Sequence, residues 1–201
     1  MGLRAMSRLE IGMVMEPSPG YTAKLAAEIE AMGFDALVCP DTQCLSPDPW
    51  GQLSLAAAQT KRLFLGTGVT NPCTRDSSVT AGALATLQLE SGGRARCGIG
   101  RGDSSAAHIG QRNATTLELR TYIEQLQAYL RGEVVMRAKT SSRMRWIQPG
   151  ELPTVPIDLA CTGPATIRMA ADVADRVSFA VGSAPERIVW ALETLNARLA
   201  E

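Results

Sequence analysis

The feature that most constrains the fold is an alternation of short apolar runs with stretches of helical spacing. Each run has four to eight residues, is bounded by Gly, Pro or Asp, and precedes a segment whose apolar residues recur every three or four positions. Such alternation is typical of βα units that build a parallel sheet. It predicts six strands, at residues 11–15, 36–39, 63–70, 94–99, 157–161 and 177–181.

Helices are predicted after these strands, and the clearest begins at Thr115. Thr115 and Glu118 form a T-x-x-E capping box, and the apolar residues that follow as far as Leu130 share one helical face. Gly132 then ends the helix. The other predicted helices begin at about Tyr21 and cover about 53–60, 79–90, 165–174 and 185–199.

Residues 133–155 interrupt this rhythm with basic residues, Trp146 and two prolines. We interpret them as an inserted excursion, which either contains a short hairpin or forms a solvated basic loop. A closed barrel needs eight βα units and typically about 250 residues. We therefore predict an α/β fold in one domain over 1–201, a TIM (β/α)8 barrel that lacks its last two units. Either a partner covers the exposed edges of the first and sixth strands, or the chain is a fragment.

The composition excludes several classes of function. Twenty basic and twenty acidic residues cancel, so no net charge attracts nucleic acid or an anionic membrane. Five scattered cysteines and one histidine predict free thiols and no metal site. After Arg4 and Arg8 the apolar stretch breaks at Glu16, short of a signal-peptide core, and no run approaches a membrane span. We expect a cytoplasmic protein.

Two glycine-rich strand exits are the strongest candidate sites, because parallel α/β folds bind ligands where strands end and helices begin. The third strand leads into Gly66–Arg75 and the fourth into Gly98–Ser104. A glycine inside a strand marks a bulge, or a place where a flat group approaches the main chain. The alternatives are an ordinary turn at the first exit and an incomplete G-x-G-x-x-G pattern at the second, where Asp103 replaces the last glycine.

Two further junctions, Thr162-Gly163-Pro164 and Gly182-Ser183, each open a predicted helix. The free N–H groups of helix starts attract phosphate, although ordinary N-caps have the same sequence. Other catalytic signatures are missing: His108 is predicted in a solvent-exposed loop, and the chain has no G-x-S-x-G motif. No catalytic residue is assigned, and a cofactor must supply the reactivity.

The segments GTGVTNPCTR (66–75), ATL (85–87) and CGIGRGDS (97–104) resemble the luciferase-like family, in particular its coenzyme F420 branch with methylenetetrahydromethanopterin reductase. GFDALVCPD (33–41) and later TGP and ADRV segments extend this similarity from Ile11 to Val181. The resemblance implies a TIM barrel of the luciferase-like type. It also implies a flat tricyclic cofactor at the carboxyl ends of the strands.

The resemblance assigns cofactor-binding positions one by one. A cis peptide in a bulge of the third strand would join Gly68 and Val69 and support one face of the ring. Asp41 would lie near the ring edge. The remaining positions are Thr70 and Asn71 beside the cofactor, Gly100, Arg101, Gly102 and Asp103 along the pocket, and Gly163, Pro164 and Gly182 at the cofactor tail.

The sequence departs from the family after the second strand, where relatives often place a histidine and this chain has Thr42, Gln43 and Cys44. An acid-base residue is therefore not assigned. The leading hypothesis is hydride transfer between reduced F420 and a small organic substrate. The alternatives are an FMN-dependent monooxygenase and a truncated, non-catalytic remnant. We also expect a homo-oligomer, a dimer.

Overall fold

The computed structural model describes residues 9–201, so Arg4 and Arg8 and the first eight positions of the predicted domain lie outside it. The strands are β1 Gly12–Val14, β2 Ala36–Cys39, β3 Phe64–Thr70, β4 Ala95–Ile99, β5 Val135–Arg137, β6 Thr140–Ser142, β7 Ile157–Cys161 and β8 Arg176–Phe179. The helices are α1 Thr22–Ala31, α2 Pro49–Gln59, α3 Ser77–Glu90, α4 Asp103–His108, α5 Thr116–Leu130, α6 Pro164–Val173 and α7 Pro185–Leu199. None of these helices is long and apolar enough to cross a membrane.

Six parallel strands form one sheet in the order β1-β2-β3-β4-β7-β8. Neighbouring strands are joined through helices, as the alternation of apolar runs predicted. Within residues 9–201, β1 pairs only with β2 and β8 only with β7, so the sheet is open at both edges. The predicted α/β fold, an incomplete barrel, is confirmed. That the chain forms a single domain stays a prediction.

The core lies between the sheet and its helices. Side chains alternate along each strand, and those on the helix side, such as Leu37, Leu65, Ile99 and Leu159, are fully buried. Each contributes about 1.5–3 kcal/mol by leaving water. The opposite face carries Gly68, Gly100 and Ala160 near the carboxyl ends of the strands, which leaves room there, while Phe64 and Arg96 stack on each other nearer the amino ends. The face away from the helices is therefore the one that can accept a ligand.

Local capping chemistry sets the helix starts. The Asp48 and Asp76 side chains accept hydrogen bonds from Gly51 N and Ser78 N, both at 2.9 Å, at the starts of α2 and α3. The predicted capping box of α5 is present: Glu118 N donates to Thr115 Oγ1 at 3.2 Å, and Thr115 N donates to the Glu118 carboxylate at 2.7 Å. The capping box placed the start of α5 from sequence alone, whereas α2 and α3 begin four and two residues before their predicted starts at 53 and 79.

Residues 133–155 and the segment around His108 differ in how well the sequence predicted them. The excursion contains the antiparallel hairpin β5–β6, so of the two interpretations of residues 133–155 the hairpin is confirmed. The loop predicted around His108 is wrong in part, because residues 103–108 form the short helix α4. Six residues are too few to show a helical period, and α4 begins after Gly102, whose φ of +86° is open mainly to glycine. The His108 side chain is exposed, as predicted.

Glu30, near the end of α1, links that helix to the turn before β3 through hydrogen bonds. Its carboxylate accepts hydrogen bonds from Lys61 N at 2.7 Å and Arg62 N at 3.1 Å. Burial opposes ionisation of the Glu30 carboxyl, yet the main-chain N–H groups of residues 61–63 lower its pKa below the ordinary value of 4.5. The charged carboxylate thus satisfies the main-chain N–H groups of the turn that leads into β3.

Glu30→Ala should reduce the free energy of unfolding by about 1–3 kcal/mol, because it leaves those N–H groups without their acceptor. Glu28→Ala, which loses only a 3.9 Å surface pair with Lys24, should cost less than about 0.5 kcal/mol. Urea denaturation at several pH values measures both. Because the folded-state pKa is lowered, the Glu30 contribution is present above pH 4.5 and is lost as the pH falls further. Equal losses in the two variants would contradict this role.

Candidate functional site

The carboxyl ends of β3, β4 and β7 enclose a cavity of about 270 Å³. Gly68 and Gly100 lie together in its wall, so the two glycine-rich strand exits meet as predicted. We call it the glycine-lined cavity. Its lining consists of Pro40, Thr42, Gly68, Val69, Thr70, Asn71, Gly100, Arg101, Gly102, Asp103, Ser104, Ser105, Ala160, Thr162 and Thr166.

Two other glycines of the same motifs serve the pairing of β3 with β4. A Cβ on Gly66 would lie 2.0 Å from the main-chain oxygen of Arg96, and one on Gly98 would lie 2.0 Å from that of Thr67. Only bare main chain allows the strands to approach so closely. The register of the pair then shifts between Thr67 and Thr70, which is the bulge that the glycines predicted.

The peptide bond between Gly68 and Val69 is cis, as expected from the family resemblance. A Cβ on Gly68 would lie 2.6 Å from Val38 Cγ2, and one on Gly100 would lie 3.1 Å from Val69 Cγ2. The cavity wall at these two positions is therefore main chain. Gly68 and Gly100 themselves offer only main chain to a ligand, and the Val69 side chain, which also lines the cavity, lies beside Gly100.

Asp41 occupies a different place from the one expected. It is fully buried and does not line the cavity, whereas its neighbours Pro40 and Thr42 do. One carboxylate oxygen of Asp41 accepts from Thr70 Oγ1 at 2.7 Å, Arg75 Nε at 3.1 Å and Trp50 Nε1 at 3.2 Å. The carboxylate is thus the centre of a hydrogen-bond network behind the cavity. Arg75 forms ion pairs with both Asp41 and Asp48.

Thr70 and Asn71 line the cavity, but their side chains are engaged within the protein. The Thr70 hydroxyl donates to Asp41. Asn71 Oδ1 accepts from Cys73 N at 2.9 Å and from Thr74 N at 3.1 Å. These contacts fix the turn after β3, so both residues shape the wall and offer little free hydrogen-bonding capacity to a ligand.

Residues 101–103 lie at the cavity as predicted. A Cβ on Gly102 would come 2.8 Å from Asn71 Cβ, so glycine is needed here for the approach of two loops as well as for its φ of +86°. Arg101 Nε donates to Ala114 O at 2.6 Å. Asp103 accepts a hydrogen bond from the Asn113 side chain.

Three predicted residues are not brought to this cavity. Gly163, Pro164 and Gly182 do not line it, and Thr162 and Thr166 stand there instead. Cofactor-tail contacts at the three positions remain a proposal. Ser105 and Ala160 also line the cavity but were not predicted as site residues, although Ala160 lies next to the end of a predicted strand. Ser104 is the last residue of the predicted Gly98–Ser104 exit. Ser105 is positioned by α4, since its hydroxyl donates to Asp41 O at 3.1 Å.

A larger cavity, of about 670 Å³, lies between the exit of β3 and α5 and shares no lining residue with the first. It is lined in part by Cys73, Arg112, Glu118 and Tyr122. Its lining includes no strand residue and none of the glycines of the two strand exits. Burial raises the pKa of the Cys73 thiol, so its thiolate is disfavoured. We therefore place the candidate site in the smaller cavity.

The fold agrees with comparisons to known proteins. The model of the luciferase-like monooxygenase family matches residues 1–201. The chain belongs to this family. The resemblance noted in the sequence is thereby confirmed.

Two members of the luciferase-like family show how far the similarity extends. A 5,10-methylenetetrahydromethanopterin reductase of Methanolobus tindarius is 33% identical over 78% of this chain and 48% of its own length. An F420-dependent glucose-6-phosphate dehydrogenase of Beutenbergia cavernae is 35% identical over 76% of this chain and 46% of its own length. The chain spans about half the length of the curated relatives it matches.

A solved structure confirms the fold. The coenzyme F420 dependent tetrahydromethanopterin reductase of Methanopyrus kandleri superposes with a TM-score of 0.81 at 24% identity, and the match covers 96% of this chain and 62% of that one. The six-stranded sheet therefore corresponds to part of a luciferase-like barrel.

The close approach of β3 and β4 can be tested with one methyl group. Gly98→Ala should reduce the free energy of unfolding by about 3 kcal/mol or prevent folding, because the new Cβ meets main chain that cannot move without breaking the pair. Gly82→Ala, in α3, meets nothing within 4 Å and should stabilise by about 0.5–1 kcal/mol. Thermal and urea denaturation measure both, and equal stability of the two variants would contradict the packing argument.

Proposed function

We propose that this protein is an oxidoreductase that binds reduced coenzyme F420 in the glycine-lined cavity and transfers hydride to a small organic substrate. The observation that carries the proposal is a wall of bare main chain at Gly68 and Gly100, at the carboxyl ends of two adjacent strands. Relatives named as F420-dependent enzymes support the choice of cofactor.

The residues present suit a flat, polar-edged ring. Gly68, Val69 and Gly100 would lie against its face, because no side chain projects from the two glycines. The hydroxyls of Thr42, Ser104 and Thr162 line the cavity and have no partner within residues 9–201, so they can hydrogen-bond the ring's polar edge. The volume of about 270 Å³ is slightly below the usual range of ligand pockets, about 300–1,000 Å³. The cofactor tail and the substrate would therefore lie towards the open side.

When bound, a reduced deazaflavin supplies the hydride. The chain itself offers little acid-base chemistry at the cavity: the ionisable side chains that line it are Arg101 and Asp103. His108 does not line it and is exposed. The role of the protein groups is to hold and orient the reactants and to exclude water from between them.

Two alternatives remain as outcomes of the test. An FMN-dependent monooxygenase is favoured by the description of the family, since the same main-chain wall accepts the ring of a flavin. A non-catalytic remnant that binds neither cofactor is the other, because the chain spans about half the length of its relatives.

The purified protein should bind F420 saturably and FMN weakly, as measured by fluorescence titration. Gly100→Val should weaken F420 binding at least tenfold, because its Cβ would lie 3.1 Å from Val69 Cγ2 and its methyl groups would fill the wall. Gly82→Ala should bind as the unchanged protein does. Saturable binding of FMN alone would support the monooxygenase, and binding of neither would support the remnant. Unchanged binding in Gly100→Val would contradict the placement of the ring.

We also propose that the chain forms a homodimer through the outer faces of α2 and α3. Glu90 is the single charged residue in these two helices. Their solvent side carries Leu55, Val79 and Leu89, each more than half exposed. With one charge between them and three large apolar side chains exposed, these two helices present a surface compatible with a second copy of itself across a two-fold axis.

Val79→Glu should convert the dimer to monomer in sedimentation velocity. The two copies would then place two new carboxylates in the apolar interface, beside the two of Glu90. Met136→Glu on β5, which adds the same charge at a residue exposed to 74%, should leave the dimer intact. A monomeric unchanged protein, or a dimer that tolerates Val79→Glu, would contradict this surface.

A further inference from the structure

Arg101 is the one positively charged residue in the lining of the glycine-lined cavity. Both the main chain and the side chain of Arg101 are hydrogen-bonded to Ala114. Its carbonyl oxygen accepts from Ala114 N at 2.9 Å, and its side-chain Nε donates to Ala114 O at 2.6 Å. The loop before α5 thus fixes both the main chain and the direction of the guanidinium group.

The charge of Arg101 is not neutralised by the described part of the chain. No carboxylate of residues 9–201 lies within 4.0 Å of its nitrogens, and its two terminal nitrogens donate to no protein group there. Arg75, on the neighbouring strand exit, pairs with both Asp41 and Asp48. Asp103, the one acidic residue in the cavity lining, is hydrogen-bonded to Asn113 instead.

An arginine of this kind suits an anionic ligand. It is partly buried, so it has lost some hydration, and its planar fork matches the two oxygens of a carboxylate or phosphate. The bond from Nε to Ala114 O holds the fork in place before a ligand arrives, which reduces the entropy cost of binding. On the other side of β4, towards β7, the cavity is lined by the neutral residues Ala160 and Thr162.

We propose that Arg101 recognises an anionic group of the substrate, so that the substrate class is a small carbonyl compound bearing a carboxylate or phosphate. This rests on the proposed function. Arg101 acts as a specificity residue: it binds the anionic end of the substrate and so directs the reacting carbon towards the main-chain wall at Gly68 and Gly100.

The test compares matched probes on the F420-loaded protein by saturation-transfer NMR, with 2-oxobutyrate as the anionic probe and its amide as the neutral one. The unchanged protein should bind 2-oxobutyrate at least about tenfold more tightly than the amide. Arg101→Gln should remove that preference, and Arg101→Lys should keep part of it. Arg168→Gln, which removes an exposed arginine that has no ion pair within residues 9–201, should keep all of it.

Further arms separate the possible sources of the anion. If Arg101→Gln weakens binding of F420 but not of the deazaflavin riboside that lacks the phosphate tail, Arg101 holds the cofactor and the substrate assignment is overturned. Titration of the unloaded protein with inorganic phosphate, followed by NMR, separates this inference from the proposed function. If inorganic phosphate binds only when Arg101 is present and the protein does not bind F420, the anion site is supported and the proposed oxidoreductase function is contradicted. Phosphate binding and probe preference unchanged in a folded Arg101→Gln variant would overturn the inference.

Discussion

The close contact between β3 and β4 is the constraint on which the site depends. At Gly66 and Gly98 each strand lies against the main chain of the other at a distance that excludes a Cβ. The pairing cannot continue in register beyond Thr67, so the chain bulges at 68–69 before it rejoins β4 at Thr70. The bulge turns main chain towards the face away from the helices. The cavity wall is thus a consequence of strand packing, which makes it part of the fold rather than an addition to it.

The second requirement is a support behind that wall, and Asp41 supplies it. Its carboxylate joins the end of β2 to Thr70 on β3, to Trp50 on α2 and to Arg75, while its carbonyl accepts from Ser105 on α4. A buried carboxylate with several donors is stable because its charge is paired and hydrogen-bonded. Loss of the Asp41 carboxylate would leave Arg75 partly unpaired and remove the hydrogen bond that holds Thr70 in the cavity wall. The geometry of the site therefore depends on a residue that does not line it.

The sequence predicted the parts of this protein whose signals are local. Strand β2 and strand β7 agree with their apolar runs residue by residue, and the capping box at Thr115 placed α5. Prediction from the sequence failed where a structural feature depends on residues that are distant in the chain. Nothing near Asp41 shows that its carboxylate meets Arg75, 34 positions later, and α4 is stabilised by packing rather than by a period of its own. Glycines at strand ends could not be sorted by sequence into those that pack strands, such as Gly98, and those that line a cavity, such as Gly100.

The division of the cavity into a main-chain wall and side-chain rims has a consequence for cofactor choice. In the proposed complex, main chain at Gly68 and Gly100 contacts the face of the ring, and the faces of a flavin and a deazaflavin have the same outline. Such contact provides affinity without discrimination. Discrimination would then come from groups that reach the ring edge, for which the hydroxyls of Thr42, Ser104 and Thr162 are the candidates, because they can both donate and accept. In a family that shares the wall, differences in cofactor and substrate should therefore follow the residues immediately after the strands, while the glycines that build the wall stay constrained by packing.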